Sequence, residues 1–216
     1  MKTVIASVLI VLMGVSSGFC QRRPQVRPKI KDKPYYSVFQ LGFSNPTSPE
    51  RFKDFWSFGI VGSLGIDKKI TPFYALNATV MCNTVIFDDE EFVAKIGGYS
   101  FGYESNKPLE ILGSVMINGK YTPEPNNELK AYFFGGLGLV YRDEGKIQYK
   151  YPGYPYTLYP DGNGKTETVF GFDFGLGTEY YITLIKSEFI FEAKVVAGFT
   201  SGGTISFIPV TIGFRF

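Results

Sequence analysis

The 216-residue chain contains no histidine, and this absence removes more function classes than any residue present supplies. Without imidazole there is no Ser–His or Cys–His nucleophile pair, no histidine general acid or base, and little prospect of a zinc or haem site. Cysteine is nearly absent too, with only Cys20 and Cys82. If Cys20 leaves with an N-terminal targeting segment, no intramolecular disulfide can form, and a disulfide-rich secreted scaffold is excluded. Long apolar runs are missing: the stretch from Val4 to Gly14 is about 11 residues, against roughly 20 for a membrane-spanning helix. Methionine (4) and tryptophan (1) are scarce, whereas Gly (25), Phe (21) and Tyr (15) are abundant, a mixture that suits strands and weakens helices. At 44% hydrophobic and 17% aromatic the chain is too apolar for disorder, and its length suits one domain.

The N-terminus has the layout of a secretory signal: Lys2, the apolar core, then the small residues Val15, Ser16, Ser17 and Gly18. Cleavage fits after Gly18 or after Cys20, and the second choice sets a signal peptide at 1–20. A lipoprotein cysteine at Cys20 wants a small residue before it, and Phe19 stands there. Residues 21–34 then form a basic, Pro-rich tail with Arg22, Arg23, Arg27, Lys29, Lys31 and Lys33 against Asp32. The chain has 22 basic and 20 acidic residues, and seven basic but one acidic precede Tyr35, so the body carries four more acids than bases. This argues against a nucleic-acid-binding domain and leaves the tail as a solvated linker or a contact for anionic polymer or lipid.

From Tyr35 onward short strands alternate with turn chemistry. Ile208, Val210, Ile212, Phe214 and Phe216 alternate with Pro209, Thr211, Gly213 and Arg215, a period of two. Phe170, Phe172, Phe174, Leu176, Thr178 and Tyr180 oppose Gly171, Asp173, Gly175, Gly177, Glu179 and Tyr181. Phe189, Phe191, Ala193, Val195, Ala197 and Phe199 oppose Glu192, Lys194, Val196 and Gly198. Noisier strands are expected at Tyr36–Phe43, Ser57–Asp67, Pro72–Phe87, Leu109–Tyr121 and Ala131–Arg142, which makes eight. Long connections (44–56, 88–108, 143–168) fall at one end and shorter ones (67–71, 122–130, 182–187) at the other.

This alternation is common to a soluble lipocalin-like barrel, apolar inside, and a transmembrane barrel, apolar outside. Three features favour the second. Asp173, Glu179, Glu192, Lys194 and Arg215 share their face with many glycines, as a crowded lumen requires and a solvated face does not. Tyr141, Tyr180, Tyr181, Phe199, Phe214 and Phe216 lie near strand ends, where interfacial girdles form. All segments but the first supply the roughly 9 to 11 residues that a strand needs to cross a bilayer. Cys82 continues the apolar row Leu76, Ala78, Val80 and reads as a small buried or lipid-facing hydrophobe.

The blocks YFFGGLGLV (Tyr132–Val140), VFGFDFGLGTEY (Val169–Tyr180), Phe189–Gly198 and the ending IPVTIGFRF (Ile208–Phe216) resemble the small bacterial outer-membrane β-barrel proteins of the porin-like, OmpA/OmpX-type superfamily. The resemblance runs from about Tyr35 to the end. It implies an all-β, eight-stranded antiparallel up-and-down transmembrane β-barrel over 35–216, in the bacterial outer membrane. It also implies a periplasmic N-terminus and tail, long loops at the surface, and contact with outer-membrane lipid and lipopolysaccharide. In that superfamily the barrel-assembly machinery reads a terminal aromatic; Phe216 matches that position, with Phe214 preceding it on the same face. The first strand departs from the pattern by being short, and Phe92–Tyr103 reads as an extra strand or a folded loop.

Other motifs weigh toward structure. Gly135, Gly136 and Gly138 lie inside a strand with no following Lys-Ser/Thr, and read as packing glycines. Asp161, Asn163 and Gly164 resemble the start of a calcium loop, but Lys165 occupies a ligand position, so a tight turn is expected. The run Asp88, Asp89, Glu90, Glu91 reads as a solvated loop, or else as a divalent-cation contact at the rim. Between Asp143 and Thr168, Tyr149, Tyr151, Tyr154, Tyr156 and Tyr159 with Pro152, Pro155 and Pro160 form a stiff amphipathic loop, suited either to recognising a glycan or protein or to packing on its own barrel.

The expected function is therefore that of a non-enzymatic barrel in envelope integrity, surface interaction or adhesion, with no catalytic, cofactor or metal residues and no nucleic-acid partner. Asp173, Glu179, Glu192, Lys194 and Arg215 are expected to form a lumen charge network. A soluble barrel binding a hydrophobic ligand and, on weaker grounds, an outer-membrane lipid-modifying enzyme are the alternatives.

Overall fold

Alternation at period two gives a strand one apolar face and one polar or small face, and a sheet of such strands must hide one of them. In the computed structural model, which describes residues 35–96, 102–159, 163–200 and 203–216, this is achieved by closure. The expected signal segment (1–20), the basic tail (21–34), Pro160 and Asp161 lie outside the described residues. Eight antiparallel strands form the barrel: β1 (Tyr36–Ser48), β2 (Trp56–Lys69), β3 (Tyr74–Phe87), β5 (Leu109–Tyr121), β6 (Leu129–Glu144), β9 (Thr166–Ile182), β10 (Ser187–Thr200) and β11 (Gly203–Arg215). Each pairs with the next, and β1 pairs with β11 to close the ring. Above one end, α1 (Glu50–Phe55), α2 (Asp89–Lys95) and a small sheet of β4 (Glu104–Ser105), β7 (Gln148–Lys150) and β8 (Thr157–Leu158) fill the long connections.

Two expectations are corrected. The first strand is not short: it runs 13 residues, to Ser48. Asn45-Pro46 reads as a turn, but Pro46 is accommodated by a register shift against β11 between Pro46 and Ser48. The stretch Phe92–Tyr103, expected as an extra strand or a folded loop, begins inside helix α2, where Phe92 and Val93 are buried, and its residues 97–101 lie outside the described residues. The acidic run begins that helix rather than a solvated loop. Asp88 caps it by accepting from the Glu91 N–H at 3.1 Å, and Asp89, Glu90 and Glu91 fill its first turn, where the helix dipole favours negative charge.

A 13-residue strand tilted by about 40° climbs about 33 Å, more than the ~25 Å apolar band of such barrels. Its outward side chains decide which solvent surrounds it. Phe39, Leu41, Phe43, Ile60, Leu64, Ile66, Val80, Val115, Ile117, Leu137, Phe174 and Ile212 are all exposed on the outside, and so is Cys82. Inward positions include Gln40, Asp67, Asn83, Glu110, Asp173, Glu179, Lys194 and Arg215, all buried. A soluble lipocalin-like barrel requires the reverse polarity. The long-loop half of the interior is mainly apolar: Val61, Met81, Val85, Leu112, Met116, Val140, Val196, Ile205 and Phe207 pack under Phe52 and Phe55 of α1 and Phe92 of α2, around a buried Arg142–Glu110 ion pair (2.6 Å) and an Asn83–Ser44 hydrogen bond (2.5 Å).

Inward glycines set the width of the wall. A Cβ on Gly138 would run into the Val115 carbonyl oxygen and stand 2.9 Å from the Met116 Cα, so the adjacent backbone would have to move. Outward Gly119 has nothing within 4 Å of such an atom. Gly138→Ala should therefore lower stability by about 1–3 kcal/mol. Gly119→Ala should stay within about 0.5 kcal/mol of the parent. Urea unfolding midpoints of the barrel refolded in vesicles separate the two.

Candidate functional site

Closure brings charged residues from six strands into the short-turn half of the lumen. Arg215, at the end of β11, lies opposite Glu188 of β10 in the ladder and opposite Val38 of β1 on its other side. Its Nη1 donates to Glu179 Oε1 at 2.9 Å and to Asp67 Oδ2 at 3.1 Å, and its Nε donates to Glu188 Oε2 at 2.6 Å. Lys120 donates to Glu179 and stands 3.7 Å from Asp67, while Lys130 donates to Glu188 at 2.8 Å. Three cations thus meet three carboxylates, which is the condition for ionised groups to remain in a dry interior.

The five lumen residues read from the sequence fall into three places. Glu179 and Arg215 belong to this cluster. Asp173 and Lys194 form a separate pair at 3.4 Å, and Glu192 accepts from the Tyr132 hydroxyl at 2.6 Å. Sequence reasoning misses Asp67, Lys120, Lys130 and Glu188. Glu188 lies in phase with Glu192 and Lys194 along β10; Lys130 falls in a stretch that reads as a connection but is the start of β6. A cavity of about 10 Å³ between Asp67, Asn77, Thr79, Asn118, Lys120 and Glu192 is the room one water needs.

Phe214 and Phe216 stand on the outer face at the short-turn end. The Phe214 ring lies 5.8 Å from Phe189 and 6.3 Å from Phe216. Phe216 also extends the closing seam, donating to the Ser37 carbonyl at 3.0 Å and accepting from the Ser37 N–H at 3.3 Å.

The five tyrosines of the long loop divide by role. Tyr159 packs on Phe92 (5.2 Å between ring centres) and Phe55 (6.2 Å), and Tyr149 on Tyr103 (5.7 Å), so both are part of the cap over the barrel mouth. Tyr151, Tyr154 and Tyr156 are exposed, Tyr154 at 66%, with Tyr151 also resting its ring 5.7 Å from that of Tyr103. They are presented by a tight turn: the Tyr154 N–H donates to the Tyr151 carbonyl at 3.0 Å, with Pro152 and left-handed Gly153 (φ 86°) between them. Lys150 sits beside them, 3.1 Å from Glu104 and 5.0 Å over the Tyr156 ring, and its hydrogen bond to Glu104 holds its ammonium above the usual lysine range.

Inverted polarity, an all-antiparallel ring of eight strands and long loops gathered at one end define a small transmembrane barrel of the bacterial outer-membrane type. Solved structures with this fold are similar at the level of the backbone. Neisserial surface protein A (NspA) matches with a TM-score of 0.54 at 12% identity, over 85% of this chain and 96% of that one. A major outer membrane protein from Thermus thermophilus matches with a TM-score of 0.52 at 10% identity, over 84% and 98%. No family model matches the chain, and no curated protein matches it in sequence.

Arg215→Leu leaves three carboxylates to two lysines and should cost about 3–5 kcal/mol. Replacing both partners of the separate pair, Asp173→Leu with Lys194→Met, should fall within about 1 kcal/mol of neutral. Equal losses in urea unfolding would contradict this division of the lumen.

Proposed function

We propose that the chain is a non-enzymatic outer-membrane protein whose role is surface interaction, adhesion included, carried by the exposed Tyr151, Tyr154 and Tyr156, with the barrel as rigid support. The observation that carries this reading is the filled lumen. Among the described residues its lower half is packed with paired charges and its upper half with the apolar plug under α1 and α2 around the Arg142–Glu110 pair, so passage of solutes is not what this interior is built for. What projects beyond the apolar belt is the long-loop end, and there the three tyrosines combine large amphipathic area with a stiff Pro-Gly turn. The adjacent Lys150–Glu104 pair neutralises the local charge, which suits a weakly charged glycan or protein rather than a strongly anionic one.

In this reading the long-loop end faces outward among lipopolysaccharide and the N-terminus lies in the periplasm. Phe216, with Phe214, serves as the signal taken by the barrel-assembly machinery. The lipid-modifying alternative has no Ser–His pair to work with.

Substituting only the exposed tyrosines tests the reading better than deleting the loop, because Tyr149 and Tyr159 hold the cap. Tyr151→Ala, Tyr154→Ala and Tyr156→Ala together should leave surface level and heat-modifiable gel migration unchanged. Adhesion of expressing cells to host glycan or protein surfaces should fall by about tenfold or more, as loss of aromatic anchors does. Unchanged adhesion by a surface-displayed triple variant would contradict the role of this rim.

A further inference from the structure

The three short connections at one end of the barrel are chemically unlike. Between β2 and β3, residues 70–73 expose Ile70 and Phe73 just after Lys68 and Lys69. Between β9 and β10, residues 183–186 expose Ile185 and Leu184, the latter at 91%, just before Lys186. Between β5 and β6, residues 122–128 carry Glu124 and Glu128 and no large exposed hydrophobe. In the circular strand order the two apolar turns are diametrically opposed.

Both tips are held in shape. The Thr71 hydroxyl accepts from the N–H groups of Phe73 (3.2 Å) and Tyr74 (3.0 Å), and the N–H groups of Ile70 and Thr71 both donate to the Tyr74 carbonyl at 3.0 Å. The other turn closes through Lys186 in the left-handed region (φ 53°). Directly behind the tips is the aromatic ring of the belt: Tyr74 against Tyr121 (5.1 Å), Tyr180, Phe189 against Phe214 (5.8 Å), and Phe216. The tips therefore continue an apolar surface that lipid already covers, one step further toward water.

Lys68 lies over the outward Tyr35 ring (5.5 Å) and, like Lys186, pairs with no carboxylate among the described residues, whereas Lys69 lies over the inward Tyr36 ring (5.2 Å) at the lumen mouth. At the opposite end Lys95, Lys107, Lys150 and Lys165 each hold one, while Lys53 and Lys146 hold none among the described residues. Apolar side chains beside free ammonium groups, at the edge of a lipid-covered belt, match a layer of acyl chain below phosphate.

We propose that these two turns anchor the barrel in a phospholipid headgroup layer, with Ile70, Phe73, Leu184 and Ile185 sunk among the upper acyl chains and Lys68 and Lys186 on phosphate, anionic phospholipid being preferred. The acidic β5–β6 connection stays in water. The proposal rests on the transmembrane-barrel reading.

The test uses the full chain with Cys20→Ala and Cys82→Ala, refolded into vesicles, carrying a fluorophore at Leu184→Cys or, for comparison, at Asn126→Cys in the β5–β6 connection. The label at 184 should be quenched by a lipid spin-labelled near the headgroup and spared by aqueous iodide; the label at 126 should show the opposite. Changing Lys68 and Lys186 together to Gln should slow insertion into phosphatidylcholine vesicles containing about a third phosphatidylglycerol by about tenfold, and leave the rate in pure phosphatidylcholine unchanged. Iodide quenching at 184, or a double variant that inserts as fast as the parent in both lipids, overturns the proposal. A label shielded from both quenchers overturns it in favour of a protein contact. A parent chain that never becomes heat-modifiable contradicts the barrel reading itself, a failure distinguishable from the others on the same gel.

Discussion

Hydrocarbon offers no hydrogen bonds, so every backbone N–H and C=O that crosses it must be satisfied within the protein. For strands the only complete solution is a ring, and here the ring depends on one seam, the ladder from Val38 with Arg215 to Ser48 with Ser206 between β1 and β11. Without it both strands would present a free edge to lipid. The seam extends beyond β11 through the reciprocal bonds of Phe216 with Ser37, so Phe216 has a structural role in closing the ring.

Closure dictates the rest. An alternating strand in a ring has one row of side chains outside and one row confined inside, and lipid takes the apolar row. The polar row then shares a narrow space, where charges must pair and side chains must shrink. Arg215 with Asp67, Glu179 and Glu188 meets the first requirement, and inward Gly136, Gly138 and Gly213 meet the second. The apolar plug below α1 and α2 fills most of the long-loop half, and the Arg142–Glu110 pair within it meets the same requirement as the ion pairs of the other half. The rim above is freer to vary: Tyr154 and Tyr156 lie outside the plug, and Tyr151 reaches it only through the ring of Tyr103 (5.7 Å).

The strands are legible wherever period two runs uninterrupted, as in β9, β10 and β11, because there the pattern is the fold. The end of β1 is hidden by Asn45-Pro46, which reads as a turn until the bulge opposite Ser206 is seen. The helices are hidden for a different reason. At six and seven residues α1 and α2 span about two turns at most, too few for a 3.6-residue period to show. One signal is available, since Asp88 followed three residues later by Glu91 is a helix-start pattern, yet a four-acid run reads first as a solvated rim. Of the lumen charges, strand alternation reveals which face each occupies. Their pairing needs the register of six strands around a closed ring. Tyr149 and Tyr159 cannot be told from Tyr151, Tyr154 and Tyr156 without knowing which face the plug.

The central claim is that lipid surrounds the apolar row and the polar row is enclosed. The most direct measurement is the accessibility of single cysteines placed along 208–216, in a Cys20→Ala, Cys82→Ala chain inserted in vesicles, to a quencher dissolved in the acyl chains. The structure predicts quenching at 208, 210, 212, 214 and 216 and protection at 209, 211, 213 and 215. Quenching at the odd positions, or the same response at all nine, would contradict it.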